Sequence, residues 1–213
     1  MASDDDVVEL FVEGARCVSR ELRGGDVAAA WESPSILEDQ TVASLAGHLA
    51  RGAVWVVDDY LNPESAPGPL NCHSASEYFR TILDAITAED HKAIRDRGAA
   101  IAAVGHATLV AQLDARLSAL AVQLSNTDPA TPIAVAGGRV MQLRDYLETR
   151  IVEQVVHLDD LDRSLNRGPC DYPAAGRSLC IETGIAIAVD RNGAPAVVRA
   201  LFRETAASVL PVL

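Results

Sequence analysis

The segment 143–165 constrains this chain more than any other. Leu143, Leu147, Ile151, Val155, Leu158, Leu161 and Leu165 recur with the spacing of a packed helix face. Arg144, Asp145, Glu148, Asp159, Asp162 and Arg163 form a polar arc that supplies a side for water. A second polar stripe, Tyr146, Arg150, Glu153, His157 and Asp160, follows the same rod. Residues four apart on a helix stack on one face, so Glu153 and His157 can reach one metal ion. Such a stripe is either a further solvated face or a face that binds something. With a water-facing side already present, the second reading gains weight.

One helix supplies two donors, and a facial metal site needs a third from elsewhere. Of the five histidines, His48 is best placed. It lies in Thr41-Val-Ala-Ser-Leu-Ala-Gly-His-Leu-Ala-Arg-Gly52, where Thr41 suits an N-cap and Leu45, Leu49 and Val56 mark an apolar face beside it. A lone histidine at such a position is more often a core residue satisfied by hydrogen bonds than a ligand. His73 falls in the Pro-rich segment from Asn62 to Ser74, His91 at the charged start of a helix, and His106 in an Ala-rich helix without an acidic neighbour. None of these three is expected to bind metal.

Four long helical patterns organise the chain. The first runs from Asp5 to Arg23, with Val7, Leu10, Phe11, Gly14, Val18 and Leu22 on one face, and stops at Gly24-Gly25. The second runs from Val42 to Leu61, before Asn62-Pro63; a short helix from Ala75 to Ala85 follows. The third begins after Thr87, an N-cap with Asp90 three residues on, and carries Ile94, Ile101, Leu109, Leu113, Leu117, Leu120 and Leu124. Two apolar runs about Gly137-Gly138, from Ile133 to Met141, read as a β-hairpin leading into the fourth. Beyond Asn166-Arg-Gly-Pro169 come a helix from Ala174 to Val189, a turn at Asn192-Gly193 and a shorter helix through Phe202. Leu179, Ile181, Ile185, Ile187 and Val189 in that part call for burial. The expected fold is all-α: an antiparallel four-helix bundle over residues 1–167, with a small β-hairpin before its last helix, and a short helical extension over 168–213.

At 213 residues and 49% apolar content the chain can bury one sizeable core. No apolar run approaches the roughly 18–20 residues of a membrane span, and Asp4-Asp5-Asp6 replaces the basic start of a signal peptide, which predicts a cytoplasmic protein. A net charge of −12 without a basic cluster argues against a nucleic-acid partner. Cys17, Cys72, Cys170 and Cys180 form no CxxC pair and are expected to be reduced, packed as small hydrophobes. Trp31 and Trp55 are expected in the core or a cleft wall.

Three features together resemble the DinB-like superfamily, in particular its mycothiol-dependent maleylpyruvate isomerase branch. They are Leu45-Ala-Gly-His-Leu-Ala50, the Gly137-Gly138 turn with Leu143 beyond it, and Arg150-x-x-Glu-x-x-x-His-x-x-Asp-Leu161. The resemblance runs from about Trp31 to Asn166. It implies a DinB-like bundle, zinc as the metal, and His48, Glu153 and His157 as ligands, the triplet already chosen from the residues. Three protein ligands leave a coordination position open, the arrangement of a catalytic zinc site. The resemblance implies that this position takes the sulfur of a mycothiol-like cosubstrate, whose thiolate attacks a small electrophile in S-transfer or cis-trans isomerisation. All but one of the 18 basic residues are Arg, the exception being Lys92; this bias suits an actinobacterium, the group that makes mycothiol. Arg150 is expected to pair with a ligand carboxylate or an anionic substrate, and Asp160 to orient an imidazole or bind a polar group of the thiol. Intrahelical pairs of Arg150 with Glu153 and Asp160 with Arg163 account for the same spacing.

The family's isomerases carry a fuller α/β C-terminal domain whose arginine holds the dicarboxylate substrate. The segment after Gly168 is too short for one, and Arg199 and Arg203 match no motif of it. The resemblance therefore extends to the thiol chemistry and stops short of maleylpyruvate itself. Two other readings fit the same ligands: a metal-dependent hydrolase using metal-bound water, and a non-catalytic metal-binding protein. Either a monomer or a homodimer is compatible with the sequence.

Overall fold

The computed structural model describes residues 4–63 and 66–203. They are mostly helical, with one small antiparallel sheet. Helix α1 (Asp4–Leu22) buries Val7, Leu10, Phe11, Gly14, Val18 and Leu22, the face its periodicity marks. A short helix, α2 (Gly25–Ala29), follows the Gly pair. Thr41 caps α3 (Val42–Ala50), its hydroxyl accepting from the Ser44 N–H at 3.1 Å. The rod runs on through a π-helical turn, Arg51–Trp55, into α4 (Val56–Leu61). The helix expected from Val42 to Leu61 is thus one rod with a wide turn inside it, a feature that concentrates at functional sites.

Ser74 caps α5 (Ala75–Leu83). Thr87 and Asp90 form a reciprocal capping box at the start of α6 (Ala88–Ala102). The third long helix, expected to run unbroken to Leu124, is two helices. Gly105, at φ +85°, takes a backbone conformation that L side chains avoid and turns the chain into α7 (His106–Leu124). On α7 the expected apolar face holds, with Leu109, Leu113, Leu117, Leu120 and Leu124 all buried.

Strands β1 (Pro132–Val135) and β2 (Arg139–Gln142) form the hairpin, with Ile133 opposite Met141. Helix α8 (Leu143–Ser164) starts directly from β2 and packs against α1, α3, the π-helical turn, α5 and α9. Its end is a Schellman motif: Asn166 adopts φ +51°, Arg167 N–H donates to Asp162 O at 3.0 Å, and Asn166 N–H to Arg163 O at 3.2 Å. Asp162 does not belong to the water-facing arc in which its spacing places it. It is buried because its carboxylate accepts from Arg167 Nε and from the Cys170 N–H, each at 2.7 Å. Arg167 also pairs with Glu21 and Asp26, which ties the end of α8 to α1 and α2.

Helices α9 (Ala174–Asn192) and α10 (Ala194–Phe202) complete the described chain. Tyr172 and Ile187 join the same core as Phe11, Leu45, Leu113, Leu147 and Ile151. Each such side chain, fully buried, contributes about 1.5–3 kcal/mol. The burial expected along α9 is only partly realised: Ile187 is inside, whereas Ile181 and Ile185 are exposed. The α9 face that meets α8, α5 and α1 is narrower than its apolar sequence suggests. No helix among the described residues is long and apolar enough to cross a membrane.

Candidate metal centre

The stripe on α8 faces inward. Tyr146, Arg150 and Asp160 are buried and Glu153 and His157 are half-buried, so it is no second solvated face. His48 reaches it from α3. That helix lies unusually close to α6, because a Cβ on Gly47 would collide with the backbone oxygen of Gly98, and one on Gly98 with that of Ser44. A glycine inside a helix costs about 1 kcal/mol relative to alanine; here the pair permits the close crossing that fixes the rod carrying His48.

His48 Nε2 lies 3.4 Å and His157 Nε2 3.3 Å from Glu153 Oε2. A charge-assisted hydrogen bond is shorter, about 2.7–2.9 Å. Donors held about 2.0–2.2 Å from a tetrahedral ion, by contrast, stand about 3.3–3.6 Å apart. One ligand atom from each of the three residues falls within 4.8 Å of the others, and no second group of this kind occurs among the described residues. The donor set is chemically and dimensionally able to hold a divalent ion.

The surroundings tune each donor. Asp160 Oδ2 is 2.9 Å from His157 Nδ1, so that ring edge carries the proton and Nε2 is turned to Glu153. Burial opposes a charge on His157, but the hydrogen bonds to Asp160 and Glu153 outweigh it and push its pKa up to about 9. Burial likewise opposes a Glu153 carboxylate, yet hydrogen bonds from His157 and His48 and the charge of Arg150 hold it well below the usual range. His48 is shifted down, chiefly by burial.

Arg150 Nη2 lies 3.9 Å from Glu153 Oε1, and its Nε donates to the Thr149 hydroxyl at 3.0 Å. Its guanidinium carbon stands 4.8 Å from the Tyr146 ring and 5.9 Å from that of Tyr78. Asp160 meets His157, and no Asp160–Arg163 pair forms; Arg163 pairs with Asp159. His73 and His91 are exposed, and His106 bonds Leu22 O at 2.7 Å against Trp31, so none approaches the triad. Arg199 and Arg203 are also exposed.

Sequence reasoning missed Gln154. It is buried, its Oε1 accepts from Tyr172 OH at 2.8 Å, and its Nε2 has no partner. With His48, Leu49, Gly52, Ala53, Glu153 and His157 it lines a tight recess that has no room for a water molecule. Gly14 makes room, since a Cβ there would strike both Gln154 Oε1 and Tyr172 OH. Gln154 lies inside the recognisable motif but off its stripe, and only the tertiary contact marks it. A wider groove between α1 and α7 holds Arg16, Arg20 and Arg23, but Arg23 is paired with Asp114 and no donor set converges there.

A family model described as the mycothiol maleylpyruvate isomerase N-terminal domain matches residues 12–162. The chain belongs to this family. Comparison with curated proteins and with solved structures finds no match. In the mycothiol maleylpyruvate isomerase N-terminal domain the matched stretch begins within α1, earlier than the motifs at Trp31 and beyond, and ends within α8. It contains His48, Glu153, His157 and Asp160, whereas α9 and α10 lie outside it.

Proposed function

We propose that this chain is a metal-dependent enzyme that activates a low-molecular-weight thiol of the mycothiol type. The thiol serves S-transfer to, or cis-trans isomerisation of, a small electrophilic substrate. The strongest support is a His2Glu donor set, spaced for a tetrahedral ion, inside the segment matched by the family. In this reading His48, Glu153 and His157 hold zinc, and α1, α3 to α4, α7 and α8 are the DinB-like four-helix bundle that residues 168–213 extend. A zinc ion at these ligands would supply the Lewis acidity that keeps a thiol at its open position as thiolate near neutral pH.

The remaining chemistry falls to the chain. Asp160 holds the His157 ring with its Nδ1–H occupied, which leaves Nε2 for ligation. Ionised Glu153 balances charge, and Arg150 steadies its second oxygen. The buried Arg150 guanidinium, framed by tyrosine rings, supplies positive charge beside the triad that would favour an anionic electrophile. Gly52 and Ala53 add little bulk to the wall of the tight recess beside the triad.

The test is metal analysis of the purified, zinc-loaded protein followed by calorimetric titration with mycothiol in buffers of different ionisation enthalpy. We expect one zinc per chain and release of close to one proton on thiol binding, because a free thiol with pKa of about 8.5 is protonated at pH 7. Full metal occupancy without thiol binding moves the assignment to a hydrolase. Metal content unchanged by His157→Ala removes the site itself.

A further inference from the structure

Helix α1 carries Arg16, Arg20 and Arg23 at positions i, i+4 and i+7, one face of the rod, and all three are exposed. They line a groove of about 610 Å³ whose other wall is α7, with Asp114, Leu117, Ala121 and Val122. That volume lies within the roughly 300–1,000 Å³ of small-molecule sites. None of the lining residues borders the recess beside His48, Glu153 and His157.

Three guanidiniums face one carboxylate here, in a chain whose net charge is −12. That carboxylate is already engaged. Asp114 Oδ1 accepts from the Ser19 hydroxyl and Oδ2 from Arg23 Nη2 at 2.5 Å. Asp114 therefore anchors Arg23 and leaves its Nε and Nη1 unbonded, an edge whose parallel N–H groups match a carboxylate or phosphate. Arg20 is anchored too: Nη2 donates to Asp171 O at 2.9 Å and Nε to Glu21 Oε1 at 3.2 Å, which leaves Nη1. Arg16 has no hydrogen-bond or ion-pair partner among the described residues. On the α7 wall Val122 is 65% exposed and continues the apolar strip begun by Leu117 and Ala121.

We propose that this groove binds a small organic anion, a phosphate or carboxylate group carried on an apolar body. The oxyanion meets the open edges of Arg20 and Arg23, and Arg16, one turn earlier on α1, closes from its free side. The apolar body lies along Leu117, Ala121 and Val122. A concave surface with surplus positive charge concentrates anions even on an acidic protein. The site is independent of the metal centre and of the thiol chemistry assigned to it.

The test titrates the isotope-labelled, zinc-loaded full chain with phenyl phosphate, inorganic phosphate and benzyl alcohol at constant low ionic strength. Nuclear magnetic resonance follows the arginine Nε–H groups and the backbone amides. Phenyl phosphate should shift the signals of Arg16, Arg20, Arg23 and the facing part of α7 saturably, with half-saturation at or below about 1 mM. Inorganic phosphate should act at the same residues severalfold more weakly, and benzyl alcohol should leave them unmoved. Arg16→Gln and Arg23→Gln should each weaken phenyl phosphate about tenfold. Unmoved signals from α8 in the variant spectra show that the fold and the metal site persist. Shifts that stay linear, spread evenly over surface arginines or centre on His48 and His157 would overturn the proposal. So would an affinity for phenyl phosphate unchanged in both variants, or no greater than that for benzyl alcohol.

Discussion

Metal loading of this site should be coupled to one proton, and that proton sits on His157. In the metal-free protein Asp160 and Glu153 raise the His157 pKa to about 9, while Glu153 is ionised and His48 is shifted down toward its neutral form. Only neutral imidazole ligates, so an incoming ion must displace the His157 proton. The apparent association constant should rise about tenfold per pH unit from near pH 7 to about 9 and then level off. At pH 7 the competing proton weakens binding roughly 100-fold, about 2.7 kcal/mol at 1.36 kcal/mol per unit. Competition against a chelator of known protonation, run from pH 6.5 to 9.5, measures the slope. Constant affinity between pH 7 and 8.5 would mean that His157 is neutral without metal, and a slope of two would put a second proton on His48; either refutes the reasoning.

The same shift has a stability counterpart with a definite sign. A histidine whose folded pKa lies above its ordinary 6.5 contributes stability that is fully present below 6.5 and lost as pH rises through about 9. The metal-free protein should therefore lose up to about 3 kcal/mol across that window. The loaded protein, in which His157 is neutral throughout, should not.

Asp160→Asn keeps a hydrogen-bond acceptor at His157 but removes the charge, and should lower metal affinity about 10–100-fold while moving the break in the pH profile below 9, both read by the same chelator competition. Gly47→Ala must push α3 from the Gly98 backbone; it should cost about 1–3 kcal/mol in urea unfolding and also weaken metal binding through His48, and an unchanged midpoint would show that the crossing is not tight. Tyr172→Phe leaves Gln154 without its one partner and should cost about 1–3 kcal/mol, part of which Gln154→Leu in the same background should restore; a double variant no more stable than Tyr172→Phe alone counts against the buried pair.

The parts of this fold that local periodicity can carry are the parts legible in the sequence. Glu153 and His157 share a face because they are four residues apart on one rod, and Thr41 and Thr87 cap helices through bonds that span three residues. The break at Gly105 was hidden because Leu109 and Leu113 stay in phase with Ile101 on a continuous helix, and only the positive φ distinguishes the two. Asp162 misleads for a similar reason: its spacing says solvent, but Arg167 and Cys170, beyond the end of the helix, draw its carboxylate inside. His48 could be ranked above the other histidines from its own helix, yet nothing short of the Gly47–Gly98 crossing sets its distance from Glu153. Tyr78 beside Arg150 and Tyr172 beside Gln154 join separate elements, and no spacing encodes them. The donor set can be read from one helix and one histidine, whereas the charge, protonation and steric room that decide its chemistry come from residues that only tertiary packing delivers.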